Sequence, residues 1–361
     1  MYDDLEGPWT SSQGGLLGLL ATVTRIHAGG DSAVLTIVVS TSGSTYQKPG
    51  ALVLLDRKGV RHGVISGGCL EPVLEDRARD VLTVRHAAAV EFDTRGDDDL
   101  VFGSGTGCQG RVNLLLVPQP PGSPLTCALR CLGEATTPLE LAIAASGPDL
   151  GSGTAILGDQ IWVWGSNGQE IEAFRTEEQS SLTHLRIDYP PRVILLGAGP
   201  ETPALHAYMA ILGWRDCVVE HRGRWLTFAR QTGVRDIIEL DPDSAAQVWV
   251  GQSANAAVVM SHNFSIDCCN LRHCAKSELP YIGLIGPRAR RDAILMELGA
   301  EATTLLHGRL HAPVGLNLGG AGPEALGLSI VAELQQQFGT RRLQVQASSR
   351  NQVLDPTKAW C

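Results

Sequence analysis

Apolar positions are spaced differently in the two halves of the chain. In the first third, β-branched runs alternate with glycine-bearing turns. Val34 to Ser40 reads as a strand, Gly43 to Gly50 as a loop, and Ala51 to Leu55 with Val60 to Ile65 as a hairpin around Asp56-Arg57-Lys58-Gly59. Pro72 fits a first helical turn, and Val73, Leu74, Ala78, Val81 and Leu82 recur at helical spacing, so a helix follows. An acidic turn at Asp97, Asp98 and Asp99 leads through the glycine-rich Phe102 to Gly110 into a strand-like Arg111 to Val117. Pro118 to Pro124 has the composition of a linker, and short strands and turns are expected from there to Tyr189.

After Pro190-Pro191 five short apolar runs alternate with helical segments: Arg192 to Leu196, Cys217 to Glu220, Asp236 to Leu240, Ala256 to Ser261 and Tyr281 to Ile285. That alternation specifies a parallel sheet covered by helices. A last helix is expected from about Pro323 to Phe338, followed by a polar tail. No internal repeat is visible. The fold class is therefore α/β: a strand-rich α+β domain over residues 1–188, a Rossmann-like parallel α/β domain over 189–340, and a polar tail over 341–361.

Composition narrows the partners. The 361 residues are 43% hydrophobic, enough for two cores, but only 5% aromatic, with 41 glycines. Such a chain favours tight turns and backbone contacts over stacking platforms. The net charge of −9 is uneven: residues 1–190 hold 13 Lys/Arg against 23 Asp/Glu, and residues 191–361 hold 16 against 15. This argues against nucleic acid and directs an anionic ligand to the second half. The opening residues lack the basic and apolar pattern of a signal peptide, and the charge-free stretch Ser244 to Ile266 is too polar to span a membrane. A cytoplasmic location is expected. Nine cysteines without framework spacing read as reduced thiols; Cys127 with Cys131 at helical spacing, and Cys217 in a strand, read as core.

Three groups of residues could carry chemistry. Gly197-Ala198-Gly199 follows a strand and opens a helix, and Glu220 ends the next strand near the spacing of a ribose-binding acid. Thr202 stands for the third glycine, Pro200 and Pro203 remove donors, and Glu201 adds negative charge, so NAD(P) is not expected as a working cofactor. Past the fourth strand lie His262, Asn263 and Asp267, and past the fifth Arg288, Arg290 and Arg291, at the edge where open α/β sheets bind ligands. Three arginines in one first helical turn oppose the helix dipole and fit a bound phosphate; a solvated surface cluster is the plainer alternative. The neighbouring His262, Cys268, Cys269, His273 and Cys274 match no zinc spacing. In the first domain Gly67-Gly68-Cys69 precedes the expected helix, which would lower the thiol pKa, and Cys108 sits among alternating glycines. Each thiol is either reachable or a small buried filler.

Together several stretches resemble the xanthine dehydrogenase accessory (XdhC/CoxI) family: Gly43 to Ala51, Ile65 to Glu71, Asp93-Thr94 with Asp97 to Gly110, Gly197 to Gly199, Glu220 to Arg222, Ser261 to Asp267, Gly283 to Arg288, and Pro313 to Leu316 with Pro323-Glu324 and Ser329 to Glu333. The resemblance implies a protein that binds molybdenum cofactor (molybdopterin) as cargo and protects it. It also implies sulfuration supported by a cysteine desulfurase and delivery to an apo molybdenum hydroxylase, as a chaperone more than a catalyst. On that footing Cys69 and Cys108 would lie near the metal or its sulfur, beside Gly67 and Gly68. Arg288, Arg290 and Arg291 would lie near the pterin phosphate, with Gly197, Gly199, Glu220, His262 and Asp267 lining a cleft expected between the domains. A homodimer is compatible with this reading. Gln47 departs from a frequent arginine, Pro287 from a frequent serine, and Pro200-Glu201 from a His and an aliphatic residue. The rivals are an NAD(P)-dependent oxidoreductase using His262 and Asp267, and a scaffold that recognises only proteins.

Overall fold

The computed structural model describes residues 14–59, 61–68, 70–93, 110–174, 181–242 and 254–351. Cys69, Cys108 and the acidic turn at 97–99 lie outside the described residues. The chain forms two compact units, Met1–Pro190 and Pro191–Cys361.

The first unit is built on strand β1 (Ala33–Gly43), whose first seven residues are all buried because both of its faces are covered. It is the middle of an antiparallel sheet ordered β3-β2-β1-β5-β4, with β2 Leu52–Leu55, β3 Arg61–His62, β4 Ala88–Asp93 and β5 Gly110–Gln119. Val34 and Val38 on one face pack with Leu74, Ala78 and Val81 of α2 (Glu71–Val84), the helix expected from Pro72. Leu35 and Ile37 on the other face join a core with α1 (Gly15–Ala28), α3 (Pro124–Glu134) and a second antiparallel sheet. That sheet is ordered β8-β7-β6-β9, from β6 Leu139–Ser146, β7 Gly153–Leu157, β8 Gln160–Trp164 and β9 Ser181–Ile187.

The 118–124 segment is no linker. Pro118 extends β5 opposite Val34, beyond the last pairing of β5 with β4 at Ala88–Leu116, so its missing N–H faces an unpaired side. Pro124 then opens α3, where its fixed φ suits a first helical turn. Cys127 and Cys131 on α3 are half-buried rather than core, whereas Cys217 is buried.

The second unit is a parallel sheet of order β12-β11-β10-β13-β14-β15. Its strands are β10 Arg192–Leu196, β11 Arg215–Glu220, β12 Asp236–Glu239, β13 Ala256–Val259, β14 Ile282–Leu284 and a sixth, unexpected β15 Leu310–His311. Numbered within the unit this is 3-2-1-4-5-6, the doubly wound Rossmann order, with its switch point between β10 and β13. Val193 and Leu195 pack toward α4 (Thr202–Leu212) and α8 (Pro323–Asn351), while Ile194 and Leu196 pack toward α6 (Phe264–Lys276) and α7 (Arg288–Leu306). Helix α5 (Gly223–Gln231) follows β11. Helix α8 runs past its expected end at Phe338 into the segment read as a tail. The segment holds no proline, and the roughly 1 kcal/mol that Gly339 costs does not stop a helix whose preceding turns are anchored on the sheet.

Among the described residues no helix is long and apolar enough to cross a membrane.

Candidate functional site

In the second unit the loops after β10, β11, β13 and β14 meet at the carboxyl edge of the sheet. Gly197 follows β10 with φ 100, and a Cβ there would lie 2.6 Å from the Ser261 Cα. Only glycine lets the two strand ends at the switch point approach so closely.

The loop amides are already satisfied. Gly197 N–H donates to the Val219 carbonyl at 2.8 Å, Ala198 N–H to Glu220 Oε2 at 2.9 Å, and Gly199 N–H to Thr202 Oγ1 at 3.0 Å. Pro200 has no N–H to offer. A Cβ on Gly199 would meet Glu201 Oε2 at 2.8 Å and His262 Nε2 at 2.9 Å. The room that a glycine leaves for a pyrophosphate in this motif is therefore filled by the protein's own carboxylate and imidazole.

Glu220 is likewise engaged. It is 2% exposed, and its Oε1 accepts the His221 and Arg222 amides and Arg222 Nε, each at 2.9 Å. Arg222 also holds Oε2, donates through Nη1 to the Ser261 carbonyl at 2.8 Å and through Nη2 to the Ala198 carbonyl at 3.3 Å. Burial pushes the Glu220 carboxyl up, but the Arg222 guanidinium and three amides outweigh it and hold the pKa at about 2. The acid at the ribose position thus clamps three strand ends together.

His262 adopts φ 57, a left-handed conformation uncommon outside glycine, and its Nε2 lies 3.2 Å from Glu201 Oε2. The hydrogen bond to Glu201 raises the His262 pKa against the opposing effect of burial. Burial works against ionisation of Glu201, yet the bond from His262 leaves its pKa lowered. His262 Nε2–H thus donates to a Glu201 carboxylate. Asp267 is fully buried; it accepts the Ser261 hydroxyl and amide and pairs with Arg290 Nη2 at 2.6 Å. Gly286, at φ 146, leaves room for the Arg290 side chain to cross it.

The arginine cluster separates by role. Arg290 is tied to Asp267, and Arg291 to Asp292 and the Ala312 carbonyl. Arg288 is exposed and, among the described residues, has no charged partner. It stands at the first position of α7, where the Arg288 and Ala289 amides have no acceptor within the helix, while those of Arg290 and Arg291 donate to the Pro287 carbonyl. Cys268 and Cys274 are buried, and burial lifts the Cys274 thiol to about 12; half-buried Cys269 lies 3.6 Å from His273 Nε2. Among the described residues no group of three or more His, Cys, Asp or Glu side chains could hold a metal ion.

In the first unit, β1 and β3 leave, and β5 enters, at one edge of the five-stranded sheet. Gly43 pairs with Gly110 there, and Gln47 Nε2 donates to the Val64 carbonyl at 2.9 Å. Gly110, the first described residue after Cys108, thus sits beside the end of β1, and the Val64 carbonyl, in the stretch leading to Cys69, is bonded to the loop that follows it. The turn before α2 is organised by Glu71, which is 2% exposed and accepts the Ile65 and Ser66 amides and the Ser66 hydroxyl. Burial opposes its ionisation, but these donors leave its pKa lowered.

Sequence reasoning gave Arg222 no role beyond the family resemblance, although its spacing of two from Glu220 at a strand end was an available signal. It also missed the glycine-rich segment Leu316–Gly322, which borders a cavity of about 490 Å3 with Pro200 and Glu201.

Order 3-2-1-4-5-6, a glycine turn after the first strand and an acid ending the second define a dinucleotide-type α/β unit whose phosphate contacts are closed, joined in one chain to an antiparallel, thiol-bearing unit. Residues 19–93 match the XdhC and CoxI family and residues 193–334 match the XdhC Rossmann domain, so the chain belongs to the XdhC and CoxI family. Over 320 residues it is 29% identical to a probable xanthine dehydrogenase subunit of Bacillus subtilis, spanning 85% of this chain and 93% of that protein. It is 27% identical over 156 residues to the uncharacterized protein YqeB of Escherichia coli, 40% of this chain and 27% of that protein. The crystal structure of a xanthine dehydrogenase from Bacillus halodurans superposes with a TM-score of 0.73 at 25% identity, covering 91% of this chain and 96% of that one.

Proposed function

We propose that this chain is an accessory factor of a xanthine dehydrogenase-type molybdenum hydroxylase. It binds molybdenum cofactor as cargo, supports its sulfuration by a cysteine desulfurase, and delivers it to the apo-hydroxylase. The observation that carries this reading is the closed glycine loop. Every amide that would hold a pyrophosphate has an internal acceptor, and Glu201 with His262 covers Gly199. A Rossmann unit so altered is poorly suited to hydride transfer from NAD(P), and family membership with the xanthine dehydrogenase-named relatives supports a maturation role.

The residues fit a phosphate-bearing pterin. Arg288, without a charged partner among the described residues, and the leading amides of α7 offer charge-assisted and backbone donors to the phosphate. Cys69 and Cys108 would supply soft thiolate sulfur suited to molybdenum or to carrying sulfur. Work in the cytoplasm on newly made hydroxylase follows from this role.

The test is anaerobic isolation of the full chain from cells making the cofactor, with analysis for pterin and molybdenum, followed by mixing with an apo molybdenum hydroxylase. Bound pterin and molybdenum, with activity of the hydroxylase restored only by the loaded protein, is the expected result. A chain that carries neither and restores no activity sinks the reading.

A further inference from the structure

A cavity of about 460 Å3 opens in the first unit at the end of the five-stranded sheet where β1 begins and β5 ends, opposite the end at which Gly43 pairs with Gly110. It is lined by the turns before β1 and after β2 and β8, by the end of β5 and by the end of α2. The maturation role gives it nothing to do.

Most polar groups of the lining are already engaged. Asp31 pairs with Lys58 at 3.8 Å, Asn167 and Gln169 bond each other at 3.1 Å, and His86 Nδ1 lies 3.0 Å from the Ser166 hydroxyl. Arg57 donates through Nη2 to the Leu82 carbonyl at 3.1 Å, which holds its guanidinium at the cavity wall and leaves its other donors over. The Arg85 side chain has no hydrogen bond or ion pair among the described residues. Two under-used guanidiniums thus share one cavity in a unit whose acids outnumber its bases by 23 to 13.

The backbone at Arg85 sharpens the point. Arg85 ends α2 in the left-handed region, at φ 57 and ψ 34, where glycine carries no steric cost and arginine does. A cation would serve the helix dipole as well one residue earlier, in helical conformation. That place holds Val84 instead, an apolar side chain 63% exposed. Neither residue is explained by capping or by core packing, and both line the cavity, where Pro118 and Pro120 extend the apolar wall.

We propose that this cavity binds a small organic monocarboxylate, with the carboxylate on the Arg85 and Arg57 guanidiniums and the apolar body against Val84, Pro118 and Pro120. The planar fork of arginine matches a carboxylate, and the volume lies in the range of small-molecule sites. Asp31 in the same lining disfavours a second negative charge on the ligand. Because both guanidiniums are exposed, solvent screening keeps the affinity modest. The inference does not depend on the accessory reading.

Calorimetric titration of the full chain with benzoate, benzamide and phenyl phosphate tests it. Benzoate should bind with a millimolar or tighter constant, its uncharged analogue benzamide at least tenfold more weakly, and phenyl phosphate no more tightly than benzoate. R85G keeps the left-handed backbone, and the strain it relieves offsets the entropy it adds to the unfolded chain. Its melting temperature should stay close to that of wild type while benzoate affinity falls at least tenfold, as loss of a charge-assisted hydrogen bond does. R85K, which keeps the charge and loses the fork, should recover only part of that affinity. Benzoate that fails to bind at millimolar concentration, benzamide bound equally well, or R85G and R85K both binding as wild type does overturns the proposal. Phenyl phosphate bound at least tenfold more tightly than benzoate overturns the monocarboxylate and makes the ligand a phosphate ester.

Discussion

Replacing Arg222 with Met should cost the second unit much of its stability, because it strands a buried charge. Glu220 is 2% exposed, and the Arg222 side chain gives it two of its five donors while also bonding the Ser261 and Ala198 carbonyls. The fall of the Glu220 pKa from 4.5 to about 2 corresponds to about 3 kcal/mol, at about 1.4 kcal/mol per pH unit. Removing one partner of a buried pair costs about 3–5 kcal/mol, which agrees. For a unit of this size the melting temperature should fall by roughly 10 °C. The sign with pH follows from the depressed value: Glu220 contributes fully above 4.5, and its contribution fades as pH falls from 4.5 toward 2. Urea denaturation of wild type, R222M, E220Q and the double variant at pH 7 and pH 4 would measure this. R222M should be weakest at pH 7 and lose less than wild type on acidification, and the double variant should recover part of the loss. An R222M protein within about 1 kcal/mol of wild type at pH 7 would refute the clamp.

Calorimetry with NAD, NADP and their reduced forms should show no micromolar binding, because closed amides and Glu201 remove about 2–4 kcal/mol, or roughly 30- to 1000-fold in affinity; a micromolar constant for any of the four restores the oxidoreductase reading. R288A should weaken a molybdopterin-type ligand about tenfold or more at unchanged melting temperature, whereas R290A, which abandons fully buried Asp267, should lower stability by about 3 kcal/mol. His206 on α4 is bonded to Asp216, and that bond raises its pKa above 6.5 against burial. Its stabilisation is fully present below 6.5 and lost as pH rises through the raised value, so wild type should exceed H206N by more at pH 6 than at pH 9 in denaturant titrations.

The second unit was readable because its signals are local and periodic: each parallel strand is a short apolar run, and Gly197 needs its positive φ whatever the loop binds. The sixth strand was not, since Leu310–His311 is two residues long and acquires strand character only by pairing with Ile282 and Gly283. In the first unit α1 carries apolar residues at Leu16, Leu19, Leu20, Val23 and Ile26, a helical pattern that is local and legible although no helix was expected there. The Pro118–Pro124 segment misled because composition reports what proline disfavours and is silent on which N–H the sheet leaves unneeded. Residue order placed His262, Asp267 and the arginines at the carboxyl edge of the sheet, where the structure has them, but pairing is a three-dimensional fact. Three arginines in one helical turn read alike, and only the position of Asp267 and of the Ala312 carbonyl separates Arg290 and Arg291 from Arg288.

Gly199 offers a test that divides a structural loop from a dinucleotide loop. If its lack of a side chain served a pyrophosphate, Gly199→Ala would harm nucleotide binding and leave His262 undisturbed. In this structure the added Cβ would meet Glu201 Oε2 at 2.8 Å and His262 Nε2 at 2.9 Å, so the carboxylate and the imidazole must part. The bond they share is the main reason the His262 pKa is raised, and with it weakened the value should fall back toward 6.5. Titration of the His262 ring followed by NMR should therefore show a pKa above 6.5 in wild type and a lower one in both G199A and E201Q, with the two variants alike. G199A should also lower the melting temperature modestly, since Glu201, 7% exposed, loses its donor. A His262 ring that titrates identically in wild type and G199A would mean that the pair does not close over Gly199, and the loop would again be open to a phosphate.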